Sequence, residues 1–176
     1  MPPVDHMRGT TTSGIPVLVR DASGDDVNEL VPVGQDEAVH RDRVRDADGE
    51  HLRYLVAACD GTVVGFCQLV FEQPPTWPEV KLMPTMNDLQ VREDMRSRGI
   101  GSFMIVVMEE LARRRGFGEV FISTDPNGNE RAFALYQRLG YEAMQEEPHL
   151  DRWSFTSSDG QLHEGEEWIV DLRKEL

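Results

Sequence analysis

Arg96, Arg98, Gly99 and Gly101 lie between an alternating stretch and an apolar run, in a spacing suited to holding a phosphorylated ligand. Ahead of them, Met86-Asn87-Asp88-Leu89-Gln90-Val91 alternates apolar and polar side chains with the period of a half-buried strand. Behind them, Ile100, Phe103, Met104, Val107, Met108 and Leu111 recur at helical spacing, and Arg113, Arg114 and Arg115 fall where cations suit a helix C-terminus. The order is strand, glycine-bearing loop, helix. The first amides of a helix have no intrahelical partner and lie at the positive end of the macrodipole, so they favour an anion. Gly99 and Gly101 let a phosphate approach the main chain, and the two arginines add charge beside it. A P-loop needs Lys after its last Gly and a Rossmann turn needs a third Gly; positions 102 and 104 are Ser and Met.

What remains, Arg96-x-x-Gly99-x-Gly101, resembles the acetyl-CoA pyrophosphate loop Q/R-x-x-G-x-G/A of the GNAT superfamily of N-acetyltransferases. Further along, Asn129-Glu130-Arg131-Ala132-Phe133-Ala134-Leu135-Tyr136-Gln137-Arg138-Leu139-Gly140-Tyr141 is similar to the family segment N-x-x-A-x-x-L-Y-x-x-x-G-F/Y at every defined position. The close resemblance covers Asp88 to Tyr141. It implies an α/β (α+β) fold: a mixed, mainly antiparallel sheet of six to seven strands, flanked by helices and splayed between the family's fourth and fifth strands.

The resemblance also implies acetyl-CoA as cosubstrate, with no metal. Arg96, Ser97, Arg98, Gly99, Ile100, Gly101 and Ser102 would hold its diphosphate. Leu89, Gln90 and Val91 would line the pantetheine arm, with an N–H of Leu89 or Val91 near the thioester oxygen, and Asn129 and Ala132 beside it. Tyr136 is the implied general acid: a phenol is protonated at neutral pH and can hand its proton to a thiolate. The base is less defined. Many members carry Glu where this chain has Thr85, which cannot accept a proton. Asp88 is the nearby group that can, as base or ammonium-binding group, although strand alternation sets it on the opposite face from Leu89 and Val91 unless a bulge rotates it; solvent or a water chain is the other candidate for the base. Asp36, Glu37, Glu79 and Asp151 are acids on other segments.

The elements that must position these residues follow in order. Positions 1–14 are rich in Pro, Thr, Gly and Ser without periodicity and predict a loose tail, leaving 15–176 as one domain. A strand over Ile15–Arg20, a short helix from Ser23 to Val31 and a thinly apolar helix from Gln35 to Asp46 come next. Leu52–Cys59 and Thr62–Phe71 form a hairpin about Asp60-Gly61, whose register puts Thr62 opposite Cys59 and Tyr54 opposite Cys67, so the two cysteines are expected as buried thiols. A proline-rich loop carrying Trp77 ends the second strand. Strands over Glu119–Thr124, Tyr141–Met144 and Glu167–Leu172 follow, with a helix from Asn129 to Leu139 and an extra hairpin around Ser157-Ser158-Asp159-Gly160.

Composition narrows the class. With 32 acidic against 18 basic residues the net charge is −14, which disfavours nucleic acid and draws cations. No apolar run is long enough to span a membrane, the first residues lack a signal-peptide core, and the five histidines lack ligand spacing, so a cytoplasmic, metal-free protein is expected. The acidic segments Asp25-Asp26, Asp36-Glu37, Glu146-Glu147 and Glu164 to Glu167 point to a small cationic amine, polyamine- or aminoglycoside-like, as acceptor; a homodimer is left open. The alternatives are acetylation of a protein N-terminus or lysine, and a non-catalytic acyl-CoA sensor.

Overall fold

The computed structural model describes residues 6–72 and 83–176; the loop from Gln73 to Pro78 with Trp77, and Glu79 and Lys81, lie outside the described residues. Nine strands are present: β1 (Met7–Thr10), β2 (Pro16–Asp21), β3 (Leu52–Cys59), β4 (Thr62–Val70), β5 (Thr85–Val91), β6 (Glu119–Thr124), β7 (Glu142–Ala143), β8 (His149–Thr156) and β9 (Leu162–Glu175). The helices are α1 (Val27–Leu30), α2 (Glu37–Asp46), α3 (Ile100–Arg114) and α4 (Glu130–Arg138). The strand order is β1-β2-β3-β4-β5-β6-β9-β7, with β8 also on β9, and every pair is antiparallel except β5–β6.

The sheet divides two apolar clusters by strand alternation. One face, holding Leu55, Cys67, Leu69 and Met86, is covered by Ile100, Met104, Met108 and Leu111 of α3 and by Tyr136 of α4. On the other face Tyr54, Val56, Val63 and Phe66 pack with Leu30 of α1 and Val33. The sequence separates these sets because β3 and β4 are buried on both sides, which in one strand requires continuous rather than alternating apolar residues.

Three expectations are corrected. The tail is structured in part: Met7–Thr10 pairs with β2, and the Phe103 ring of α3 lies against Gly9. The six to seven strands expected become nine among the described residues, because β1 forms and β8 adds the outer arm of the extra hairpin, whose inner arm runs unbroken into the final strand as the 14-residue β9. In the β3–β4 hairpin, Asp60 (φ 50°) and Gly61 (φ 80°) make the expected turn and Thr62 faces Cys59. A bulge between Ala57 and Ala58 then shifts the ladder by one residue, so Cys67 faces Leu55 rather than Tyr54. Both cysteines are free and buried.

A buried ion pair ties β9 to α3. Glu109, 6% exposed, accepts from Lys174 Nζ at 3.0 and 2.9 Å and from the Tyr141 hydroxyl at 3.1 Å. Lys174→Met would leave that carboxylate buried without its cation, and urea unfolding should show a loss of about 3 kcal/mol, against about 1 kcal/mol for Tyr141→Phe. Equal, small effects would mean the pair contributes little.

Candidate active site

The loop before α3 is shaped by left-handed backbone at Ser97 (φ 61°) and Gly99 (φ 83°), the latter the N-cap of the helix. A side chain at Gly99 would be strained by that φ and would press on Thr11 and Thr12, which pack against the loop from the N-terminal segment. Among the described residues, no amide from Ser97 to Ser102 donates to a protein acceptor. Six consecutive donors at the positive end of a 15-residue helix are therefore available to an anion. Arg131 of α4 hydrogen-bonds the Ser97 hydroxyl, and Arg96 Nε donates to the Val91 carbonyl at 2.9 Å, fixing the loop to α4 and to the end of β5. Arg98 is exposed beside them.

β5 supplies a second set of unpaired groups. It pairs with β6 only at Thr85 and Met86, then diverges, so among the described residues Asn87 to Val91 have no strand on that side. On the other side, Arg92 N–H donates to the Val64 carbonyl at 2.8 Å, which by antiparallel alternation turns Gln90 toward β4 and Val91 toward the opening. Between Gln90 and Asn87 the ladder slips by one residue, and within that bulge Asp88 adopts φ 49°.

The bulge rotates Asp88 onto the face of α2, where its carboxylate, 23% exposed, makes one ion pair and accepts two hydrogen bonds. Arg43 Nη1 stands 2.7 Å from Oδ2, Gln35 Nε2 donates to Oδ2 at 3.1 Å, and Gln90 Nε2 donates to Oδ1 at 2.5 Å. Asp88 as a free base, the reading suggested by its residue type alone, is at odds with these three contacts. Thr85 is buried, and its hydroxyl has no partner among the described residues.

Tyr136 lies on the α3 face, 7% exposed, edge-on to Tyr141 with ring centroids 6.1 Å apart. Burial, with the nearby Cys67 thiol of β4, pushes its phenol up to about 12, so it stays protonated throughout the neutral range. It reaches from the helix after β6 to the field of a β4 residue, in the cluster that covers the α3 face of the sheet. Asn129 caps α4, its Oδ1 accepting from Ala132 N–H at 3.2 Å.

The long hairpin contributes acids that residue types alone could not rank. Asp151 and Glu167 are cross-strand partners. Glu167 keeps an exposed side chain, and partial desolvation by the hairpin around it, then the charges of Asp151, Asp125 and Asp88, raise its carboxyl above the usual glutamate range. The hairpin tip reaches α2, where Ser158 N–H donates to Asp42 Oδ2 at 2.8 Å. Arg43 and Gln35 also escaped the reading of motifs, since neither belongs to one and only the fold brings them to Asp88.

An open, mainly antiparallel sheet with one diverging strand pair and a loop of unengaged amides at the following helix defines the class of α/β protein to which the chain belongs. The chain belongs to the acetyltransferase (GNAT) family, whose model matches residues 21–141. It is 31% identical over 99 residues to an N-acetyltransferase of Chlorobaculum tepidum, covering 56% of each chain. It is 25% identical over 100 residues to the streptothricin acetyltransferase of Streptomyces lavendulae, covering 57% of this chain and 49% of that one. The match thus spans about half the length of these curated relatives. Among solved structures, the GNAT domain of S. lividans PAT is similar in fold at TM-score 0.68 and 17% identity, covering 97% of each chain. The PaiA N-acetyltransferase of Thermoplasma acidophilum in complex with coenzyme A gives 0.61 at 13% identity, covering 91% of this chain and 99% of that one.

The Gly101 position separates space from charge. A β-carbon there would meet only Leu89 and Val91 at 3.9 Å, ordinary contact, so Gly101→Ala should fold and bind normally. Gly101→Asp should abolish coenzyme A binding in calorimetry, because it sets a carboxylate among the donors; unchanged affinity would place the diphosphate elsewhere.

Proposed function

We propose that this protein transfers an acetyl group from acetyl-CoA to a primary amine of a small cationic substrate. The single observation that carries the reading is the pairing of six unengaged amides at 97–102 with an unpaired β5 edge leading away from them. Coenzyme A, when bound, supplies the activated acetyl thioester. The loop amides with Arg96 and Arg98 hold its diphosphate, and the open edge from Leu89 to Val91 receives the pantetheine arm. Val91, or Leu89 beside it, donates an N–H to the oxygen on which negative charge develops. The Tyr136 hydroxyl holds a proton for the departing sulfur.

The acceptor side lies across the sheet, between α2, the β5 bulge and the β8–β9 hairpin. Glu167 is the carboxylate there whose raised proton affinity suits it to take the proton that the substrate ammonium must lose before attack. With Asp151 opposite it and the charges of Asp125 and Asp88 near, the region favours a cation. The Ser158–Asp42 bond joins the hairpin to α2, which supports a small acceptor over a polypeptide.

Thiol release from acetyl-CoA, measured against polyamines, aminoglycosides, amino acids and short peptides, tests the reading. Turnover with a cationic small amine is expected; tight acetyl-CoA binding without turnover on any amine would favour a sensor. Tyr136→Phe should lower kcat about 100-fold with coenzyme A affinity retained. The rate should also depend on pH through Glu167. A base works deprotonated and this carboxyl is raised, so kcat should fall as pH drops through a value above the ordinary glutamate range, and Glu167→Gln should remove that limb. A limb that survives the substitution would assign the proton to another group.

A further inference from the structure

Asp88 sits in the only stretch of β5 whose backbone is left-handed, and what surrounds it is a chain of contacts rather than a vacancy. Arg43, 12% exposed in its side chain, forms the ion pair with Asp88, which is 23% exposed. The guanidinium carbon lies 5.7 Å from the Tyr54 ring centroid and 5.8 Å from that of Phe66, so two buried aromatics set its position. Tyr54 is itself held. His40, fully buried one turn before Arg43 on α2, places Nε2 at 2.6 Å from the Gly34 carbonyl and Nδ1 at 2.7 Å from the Tyr54 hydroxyl. The carbonyl can only accept, so Nε2 carries the proton and Nδ1 accepts from Tyr54. Burial holds the imidazole neutral, in keeping with that tautomer.

The segment before α2 closes on the same point. Gln35, at φ 69°, donates to Asp88, and the Gln90 amide occupies the space in which a side chain at residue 34 would stand. Asp tolerates left-handed backbone better than most residues but still needs surroundings that fix it. Here they do. Without the bulge, one-for-one pairing from Met86 to Val91 would shift Leu89 and Val91 relative to the opening.

We propose that the Arg43–Asp88 ion pair fixes the β5 bulge and thereby aims the amides of Leu89 and Val91 at the acyl-thioester oxygen. Both are positioning residues, and Asp88 transfers no proton. The proposal rests on the acetyl-transfer reading for its catalytic consequence but not for its structural one.

The test uses the full chain with Arg43→Met, Asp88→Asn and the double substitution. Methionine keeps the length of the stem without charge, and asparagine tolerates the same backbone conformation. Each single variant should lower kcat for thiol release roughly 100-fold, as displaced donors do. Coenzyme A affinity, to which the loop at 97–102 contributes the diphosphate contacts, should fall far less than kcat, and the double variant should be no worse than the poorer single one. Asp88→Asn abolishing turnover while Arg43→Met leaves it intact would overturn the proposal, as would losses that multiply, or affinity falling in step with kcat. Amide NMR keeps the test independent of the acceptor. Arg43→Met should move the Leu89 and Val91 resonances, and unchanged resonances overturn the clamp even where no amine is a substrate. Absence of turnover in the unsubstituted protein, with those resonances shifted in the variant, would instead remove the acetyl-transfer reading alone.

Discussion

Two strands that pair at Thr85 and Met86 and then separate determine what this molecule can hold. A strand edge inside a sheet ordinarily satisfies its amides and carbonyls across the ladder, and leaving them unpaired costs stability unless another partner takes them. Here the omission is systematic. The unpaired edge of β5 runs directly into a loop whose own amides, from Ser97 to Ser102, have no protein acceptor among the described residues. Under the proposed function, a ligand extended at one end and doubly anionic at the other would meet both sets of groups.

The remaining architecture keeps that opening in place. α3 presents the loop because its buried stripe from Ile100 to Leu111 is anchored on the sheet, and the Glu109–Lys174 pair fastens its far half to β9. α4 packs Tyr136 into the cluster on the α3 face and, through Arg131, holds Ser97. On the opposite face, α2 reaches the bulge through Arg43 and the hairpin through Asp42. The two faces therefore differ: one carries the loop and Tyr136, and under the proposed function it would bind the donor, while the other carries Arg43, Asp88 and the hairpin carboxylates.

Local chemistry made much of this legible from residues alone. The strand, the loop and α3 follow from alternation, glycine and a helical apolar period, each written within a few residues. Asn129 as a cap and Asp60-Gly61 as a turn are equally local. What escaped was set by pairing at a distance. Met7–Thr10 becomes a strand only because β2 and Phe103 are there to receive it. The slip at Ala57 and the bulge at Asp88 are properties of two strands together, so no single stretch announces them. Arg43 reads as one more charged residue on a weak helix until the fold sets it between Tyr54, Phe66 and Asp88. Glu167 likewise becomes distinctive only in the field of acids from three other elements.

The most direct test of the account is a titration of the nitrogen-15 labelled protein with coenzyme A, followed by amide NMR. The amides from Ser97 to Ser102, with Leu89 and Val91 at the open edge, should move together at one saturating concentration. Binding that leaves those resonances in place and shifts others would contradict the account, because the ligand would then be held by something other than the unpaired backbone of the loop and strand.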